Sequence, residues 1–420
     1  MLKTGKKQPK ANKNNCPRTD YLWHAINIWH IPYNYFLWCV IYFPLLLFFK
    51  TEGFKQSLLR PIFKHLVMML ITYFCRMEKI TIGDFLKRND GNILLDVRSP
   101  GEYIEGHIPG AVSFPLFTDE ERAEVGTLYK KKGHDFAFLK GLEFVGAKMA
   151  DYVRWANKRV PDKKLYIHCW RGGQRSASLA WLLEMAGFEV KLIIGGYKAY
   201  RQYIHQQFDE IKLNIIVLGG PTGSGKTLML QSLQDEGEQI IDLEKLAHHK
   251  GSAFGSLGEF IQPTVEQFEN ILFDEFRKLD ANKRVWVENE SRSIGKVFQP
   301  AAFWNQFRTA KYIGLVIPFE ERLKFLVKIY GEFPVTELIE SFVKISKRLG
   351  GQHVQAAIAY LEAGDLFNAG AIALRYYDKS YPLANLKCDF SRSFLFTPDL
   401  TLEKRAVAQS LIKFSDGNEL

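Results

Sequence analysis

The chain has 420 residues, 47% of them hydrophobic and 24% charged, which supplies apolar material for two cores and is far from the composition of a disordered chain. Five cysteines, Cys16, Cys39, Cys75, Cys169 and Cys388, stand apart without close pairs, which argues against a secreted disulfide scaffold and a four-thiolate zinc site and fits a reducing compartment. The net charge of +10 is concentrated in residues 1–76, where eleven lysines and arginines face only Asp20 and Glu52. Residues 77–420 are nearly neutral, so RNA would be met by local clusters such as Lys324, Lys328, Lys344, Lys347 and Arg348, not by a global positive field.

Residues 1–76 read differently from the remainder. A basic, polar start leads to an almost wholly apolar run over 35–49, interrupted by Pro44 and slightly short for a bilayer span, then to a weaker apolar run over 66–75. No small-residue cleavage site marks a signal peptide. The preferred reading is an atypical N-terminal extension outside the folded domains, because Met77 precedes a self-contained domain start; a single anchor with positive flanks is the lesser reading. Cytoplasmic placement is therefore expected, with membrane association only if residues 1–76 belong to the mature protein.

From 80 to 86 the pattern predicts a helix, and 92–97 an apolar strand ending near Asp96 and Arg98. Residues 108–114 form a turn and a short strand, 138–158 carry a helical period, 164–168 read as a buried strand, 176–186 as a helix closed by Gly187, and 190–194 as a strand. A helix over 197–211 leads to a strand at 212–218, a glycine loop, and a helix beginning at 228–233. Further strands are predicted at 240–242, 284–288 and 312–317, with helices at 265–279 and 302–308; 320–330, 335–349 and 352–363 read as mainly helical, and the pattern from 376 onward is indistinct. Strands alternating with helices imply an α/β fold with mostly parallel sheets. The resulting division is an extension at 1–76, a first domain at 77–210, a phosphate-loop α/β domain at 211–375 that becomes mainly helical, and a C-terminal extension at 376–420.

The first chemical signature is His168-Cys169-Trp170-Arg171-Gly172-Gly173-Gln174-Arg175-Ser176. It puts a thiol at a strand end and an arginine at the start of the next helix, where loop dipoles and Arg175 favour the nucleophilic thiolate and steady an oxyanion. Arg171 and Arg175 suit either an adduct on Cys169 or a loop-holding salt bridge. Cys-x5-Arg also describes a phosphatase loop, and the loop alone leaves that alternative open.

The second signature, Gly220-Pro221-Thr222-Gly223-Ser224-Gly225-Lys226-Thr227, satisfies the full phosphate-loop pattern: backbone amides around phosphate oxygens, Lys226 on the outer phosphates, and the Thr227 hydroxyl near a magnesium ion if one is used. The candidate phosphate-binding residues are Gly220, Thr222, Gly223, Gly225, Lys226 and Thr227. Glu288 and Glu290 follow an apolar strand, where acids orient water or magnesium, and Arg292 could hold a second phosphate; solvated surface charge is the bland alternative for all three. His249 and Lys250, beside His248, could supply protons or positive charge. The two histidines lack the further ligands of a zinc site, and no structural metal is expected.

Leu95-Asp96-Val97-Arg98-Ser99-Pro100-Gly101-Glu102-Tyr103 and Gly106-His107-Ile108-Pro109-Gly110-Ala111, ahead of the cysteine loop, resemble the rhodanese family, in which the loop cysteine carries sulfur or selenium covalently. Asp96 and Arg98 would be framework residues, and His107 is expected to hold the fold through a hydrogen bond rather than to act as acid or base. The order of a rhodanese half and a phosphate-loop half, with Asp242-Leu243-Glu244, His249-Lys250-Gly251-Ser252-Ala253-Phe254-Gly255, Gln262-Pro263-Thr264, Phe268-Glu269-Asn270, Val287-Glu288-Asn289-Glu290-Ser291-Arg292-Ser293-Ile294-Gly295 and Tyr376-Tyr377-Asp378, resembles the bacterial tRNA 2-selenouridine synthase family from Met77 to roughly the C-terminus.

That resemblance implies a selenotransferase and geranyltransferase acting on tRNA that carries 2-thiouridine at the wobble position. The sulfur is geranylated by geranyl diphosphate, then replaced by selenium from selenophosphate. Cys169 would carry an S-selanylcysteine intermediate, and the phosphate loop would grip geranyl diphosphate or an RNA phosphate without ATP hydrolysis. A selenophosphate-supplying enzyme would be a partner, and DNA would not. Trp170, Tyr129, Tyr376 and Tyr377 are candidates to stack on bases, although scattered aromatics more often belong to a core. The alternatives are a rhodanese-like sulfurtransferase, or a Cys-x5-Arg phosphatase fused to a phosphate-loop kinase or NTPase.

Overall fold

The structure is a computed structural model that describes residues 77–88, 90–385 and 389–420. The expectations for residues 1–76, including a membrane anchor, lie outside the described residues; among those that are described, no helix is long and apolar enough to cross a membrane. Residues 77–420 form one compact unit containing two five-stranded parallel sheets.

The first sheet has the order β1 (Glu78–Ile80), β5 (Glu189–Ile193), β4 (Lys164–His168), β2 (Ile93–Asp96), β3 (Val112–Ser113). Its central strand β4 carries Leu165, Tyr166 and Ile167, all essentially buried, the continuous apolar run expected where helices cover both faces of a parallel sheet. The expected helix over 80–86 divides into β1 and a helix Ile82–Lys87, because Ile80 pairs with Ile193 at the sheet edge and Thr81 accepts from the Asp84 amide as an N-cap.

Two helical details also differ from the sequence pattern. The helix Asp119–Lys132 has no buried residue and hence no apolar stripe to betray it; its Thr118–Glu121 capping box and basic last turn set its ends. The predicted period over 138–158 resolves into two helices, His134–Gly146 and Met149–Arg159.

The second sheet has the order β12 (Arg392–Phe396), β11 (Lys311–Leu315), β6 (Asn214–Gly219), β8 (Arg284–Glu288), β7 (Gln239–Ile241), and a small hairpin pairs β9 (Ser293–Ile294) with β10 (Val297–Phe298). Residues 376–420 do not stand outside this domain. The helix Leu366–Asn385 runs through position 375, β12 pairs with β11 along its whole length, and the helix Lys404–Gly417 buries Val407, Ala408 and Leu411 in a core with Leu230 and Leu233. The weak sequence pattern follows from edge position, where only one flank of the strand is paired.

The helix Gly196–Glu210 joins the sheets. Its Tyr197, Tyr200, Ile204 and Phe208 share one continuous core with Phe268, Phe273 and Phe276 of the helix Val265–Phe276 and with Phe303 and Phe307 of the helix Ala301–Phe307. The two loop signatures therefore sit on one packed body, each at the carboxyl end of a central parallel strand, where open α/β sheets place their sites.

Candidate functional site

Cys169 leaves β4 with only 3% of its surface exposed. The Ser176 hydroxyl lies 3.1 Å from its Sγ, and the helix Gln174–Met185 starts immediately beyond the loop, bringing its positive end toward the sulfur. The loop is held from below by the turn after β5: the Tyr197 and Lys198 amides donate to the Cys169 and Trp170 carbonyls, each at 2.9 Å. That approach requires Gly196, whose φ is +58° and where a Cβ would lie 2.2 Å from the Cys169 carbonyl oxygen.

Arg175 is held by Glu102, with bonds of 2.6 and 3.3 Å, and Arg122 approaches the same carboxylate at 3.6 Å. Burial pushes Glu102 up, but its bonds and charge pairing with Arg175 outweigh this and set it below the ordinary carboxylate range. Arg171 is exposed on the loop. An open pocket of about 550 Å³ in front of the loop is lined by Glu102, Trp170 and Arg175 together with Glu266 of the second domain.

Asp96 and Arg98, 0% and 1% exposed, form a buried pair at 2.6 Å, and the Arg98 guanidinium also donates to the Gly106 carbonyl and covers the Tyr197 ring at 3.8 Å. His107 stacks on Tyr103, with Nδ1 3.0 Å from the Tyr103 carbonyl, and its amide donates to Gln267. Burial lowers its pKa, so a neutral ring donating through Nδ1 fits the geometry. Asn270 joins the halves, donating to the Tyr197 hydroxyl at 2.8 Å and the His107 carbonyl at 2.9 Å, while Tyr197 donates to Glu266 at 2.7 Å.

The phosphate loop leaves β6 through Gly220, Gly223 and Gly225, all at positive φ, and runs into the helix Lys226–Asp235. It opens on a cleft of about 740 Å³ that also gathers Glu244, Lys250, Glu290 and Arg292. Lys226 Nζ reaches the Gly220 carbonyl at 3.2 Å, and the Thr227 hydroxyl donates to Glu244 at 3.0 Å. Glu288 is fully buried rather than a surface charge; its Oε1 accepts from the Glu244 amide at 2.8 Å, and its Oε2 has no hydrogen-bond partner among the described residues. Burial and then the Asp242 and Glu244 charges raise its pKa well above the ordinary value, and burial with the Glu244 charge pushes Glu290 up to about 8.

His249 accepts from the Gly251 amide at 3.1 Å, and burial lowers its pKa; Lys250 pairs with Glu259 at 3.0 Å. Arg292 is exposed at the rim. No group of three or more His, Cys, Asp or Glu side chains among the described residues is arranged to hold a metal ion.

Residues 83–203 match the family described as a rhodanese-like domain, and residues 213–386 match the tRNA 2-selenouridine synthase AAA domain. A tRNA 2-selenouridine synthase of Bdellovibrio bacteriovorus is 38% identical over 290 residues, covering 67% of this chain and 72% of that protein. Those of Nitrosomonas eutropha and Bordetella petrii are each 34% identical, over 71% and 69% of this chain and 80% and 85% of theirs. The chain belongs to the tRNA 2-selenouridine synthase family.

In this member of the tRNA 2-selenouridine synthase family, the predicted residues gather into two places. Cys169, Arg171, Arg175, Asp96, Arg98 and His107 are assembled on or beneath the rhodanese loop. Thr222 to Thr227, Lys250, Glu290 and Arg292 line the cleft, with Gly220 at the start of its loop and Glu288 buried beneath; His249, expected there too, is not part of the cleft wall. Residue patterns alone did not single out Glu102, Ser176, Glu244 and Glu266 as site residues, although the first three stand inside the recognised motifs. Glu266 becomes part of the pocket beside the cysteine loop only because the helix Val265–Phe276 packs against the helix Gly196–Glu210.

Proposed function

We propose that this protein is a tRNA 2-selenouridine synthase that exchanges sulfur for selenium in 2-thiouridine at the wobble position. The observation that carries the reading is an intact cysteine loop and an intact phosphate loop at the carboxyl ends of two parallel sheets in one packed unit, within a chain of this family.

In the first step the diphosphate of geranyl diphosphate rests on the phosphate loop. The thiouridine sulfur attacks C1 of the geranyl group, a C–S bond forms, the C–O bond breaks, and diphosphate leaves with its charge held by loop amides and Lys226. In the second, selenium supplied by selenophosphate bonds to C2 of the base, the C2–S bond breaks, and the geranylated sulfur departs as a thiol. Water takes the phosphoryl group of selenophosphate as orthophosphate. Selenium stays at the selenide level from selenophosphate to the base; Cys169, with Ser176 and the following helix N-terminus around its sulfur, is the residue that holds the selenium donor for this step, and the S-selanylcysteine that the resemblance implies would form only with a two-electron oxidant and discharge only with a reductant. ATP hydrolysis has no part in this scheme, and a magnesium ion would act only as a counter-charge to diphosphate.

The test incubates the protein and its Cys169→Ala variant with 2-thiouridine tRNA, geranyl diphosphate, magnesium and selenophosphate, and identifies nucleosides by mass spectrometry. Selenouridine only with intact Cys169, and geranylthiouridine with both proteins, is the expected result. No modified nucleoside from either protein, with tRNA binding demonstrated, would overturn the assignment in favour of phosphatase or kinase chemistry.

A further inference from the structure

Behind the phosphate loop lies a second cavity, of about 70 Å³, enclosed by the helices Phe319–Tyr330, Val335–Lys344, Gly351–Glu362 and Leu366–Asn385. Its interior is hydrocarbon: Leu326, Leu338, Phe342, Ala369 and Ala373 among others, with no charged side chain among the described residues of its wall. The polar side chains that line it, Thr222, Ser252, Tyr330 and Tyr377, all line the phosphate cleft as well, so they mark the mouth between the two spaces. Polarity therefore falls in one direction, from Lys226 and the loop amides, past hydroxyls, into an apolar end.

We propose that this cavity binds the far end of the hydrocarbon chain of a prenyl diphosphate whose head lies on the phosphate loop. The proposal rests on the prenyl-diphosphate reading of that loop and adds where the chain goes and which residues select it. A nucleotide fits poorly, because the edges of a base placed beyond the mouth would lose water without gaining partners. A branched hydrocarbon loses nothing polar and gains from leaving water. The volume is about half that of the roughly 150 Å³ cavity that admits benzene, a molecule of about the bulk of one five-carbon unit, so the cavity takes the branched tip of the chain while the rest of that unit lies in the mouth shared with the phosphate cleft. The unit nearer the diphosphate then lies along Leu326 and Ile329 on the cleft wall, so a ten-carbon chain spans both spaces.

The test measures dissociation constants of the full chain for inorganic pyrophosphate and for the C5, C10 and C15 prenyl diphosphates by calorimetry. Wild type is expected to bind the C10 compound at least about tenfold more tightly than pyrophosphate, the gain expected from burying several methylene equivalents. Ala373→Leu, which fills the cavity, should erase that gap and leave pyrophosphate binding unchanged. Leu338→Ala, which enlarges it, should move the preference toward C15. An undiminished gap in Ala373→Leu overturns the pocket but not the diphosphate reading, whereas no gap in wild type overturns both. If Ala373→Leu loses pyrophosphate binding through misfolding, Leu338→Ala decides, and an unchanged chain-length order there overturns the proposal.

Discussion

Arg322 grips Asp378 through two hydrogen bonds of 2.8 and 2.7 Å while its Nη1 also holds the Thr222 carbonyl at 3.1 Å. One guanidinium thus ties the phosphate loop to the helix Leu366–Asn385, a contact that a point-charge lysine cannot reproduce. Arg322 is 6% exposed and Asp378 is about a third exposed at its side chain, so the pair is partly screened.

Asp378→Asn is expected to cost about 1–2 kcal/mol of stability after discounting for solvent and to weaken pyrophosphate binding severalfold by loosening the loop. Calorimetric titration beside urea denaturation separates the two effects. Unchanged affinity in a folded variant would show that the loop holds its shape without this tether.

The Asp96–Arg98 pair is dry on both sides. Removing the carboxylate with Asp96→Ala leaves a buried guanidinium without its main counter-charge, and a loss of about 3–5 kcal/mol is expected by chemical denaturation. A loss below about 1 kcal/mol would mean that the Gly106 carbonyl and Tyr197 ring suffice to hold the charge.

Glu102 holds Arg175 in the wall of the pocket beside the cysteine loop. Glu102→Gln keeps the shape but gives up the charge-assisted pairing, so conversion of geranylthiouridine to selenouridine in tRNA, followed by nucleoside mass spectrometry, should slow about tenfold while geranylation stays unchanged. Because pairing with Arg175 holds Glu102 below its ordinary range, its stabilisation is present above pH 4.5, the unfolded value, and is lost as pH falls through the lower folded value. Equal slowing of both half-reactions would instead indicate general damage.

The acidic floor of the phosphate cleft predicts the opposite slope. Glu288 and Glu290 bind protons more tightly in the folded protein than the ordinary value of 4.5 allows, Glu290 up to about 8. Between pH 4.5 and about 8 the native state therefore holds more protons than the unfolded chain, and stability falls with rising pH, on the order of 5 kcal/mol from Glu290 alone, before levelling. Glu290→Gln should flatten much of that fall in denaturation midpoints taken from pH 5 to 9. A wild-type curve that is flat over this window would show that both acids are ionised in the fold.

Both chemical loops were legible from residue order alone, because a thiol seven residues before Ser176 and a glycine pattern ending in Lys226-Thr227 are local devices that act through their own backbone. The central strands β4 and β6 were equally plain, since burial on both faces demands an unbroken apolar run. The helix Asp119–Lys132 and the edge strand β12 were not, for the first buries no residue and the second is paired along only one edge.

Local sequence therefore determined the two reactive loops and the strands that carry them, since those depend on neighbours within about ten positions. Tertiary packing alone decided that Glu266 would reach the pocket beside the cysteine loop, that Glu288 would be buried under the phosphate cleft, and that Arg392–Phe396 would complete the second sheet instead of trailing from it. These relations join positions tens to hundreds apart, and they exist only because the apolar faces of the helices Gly196–Glu210, Val265–Phe276 and Leu366–Asn385 had to be covered by one another or by a sheet.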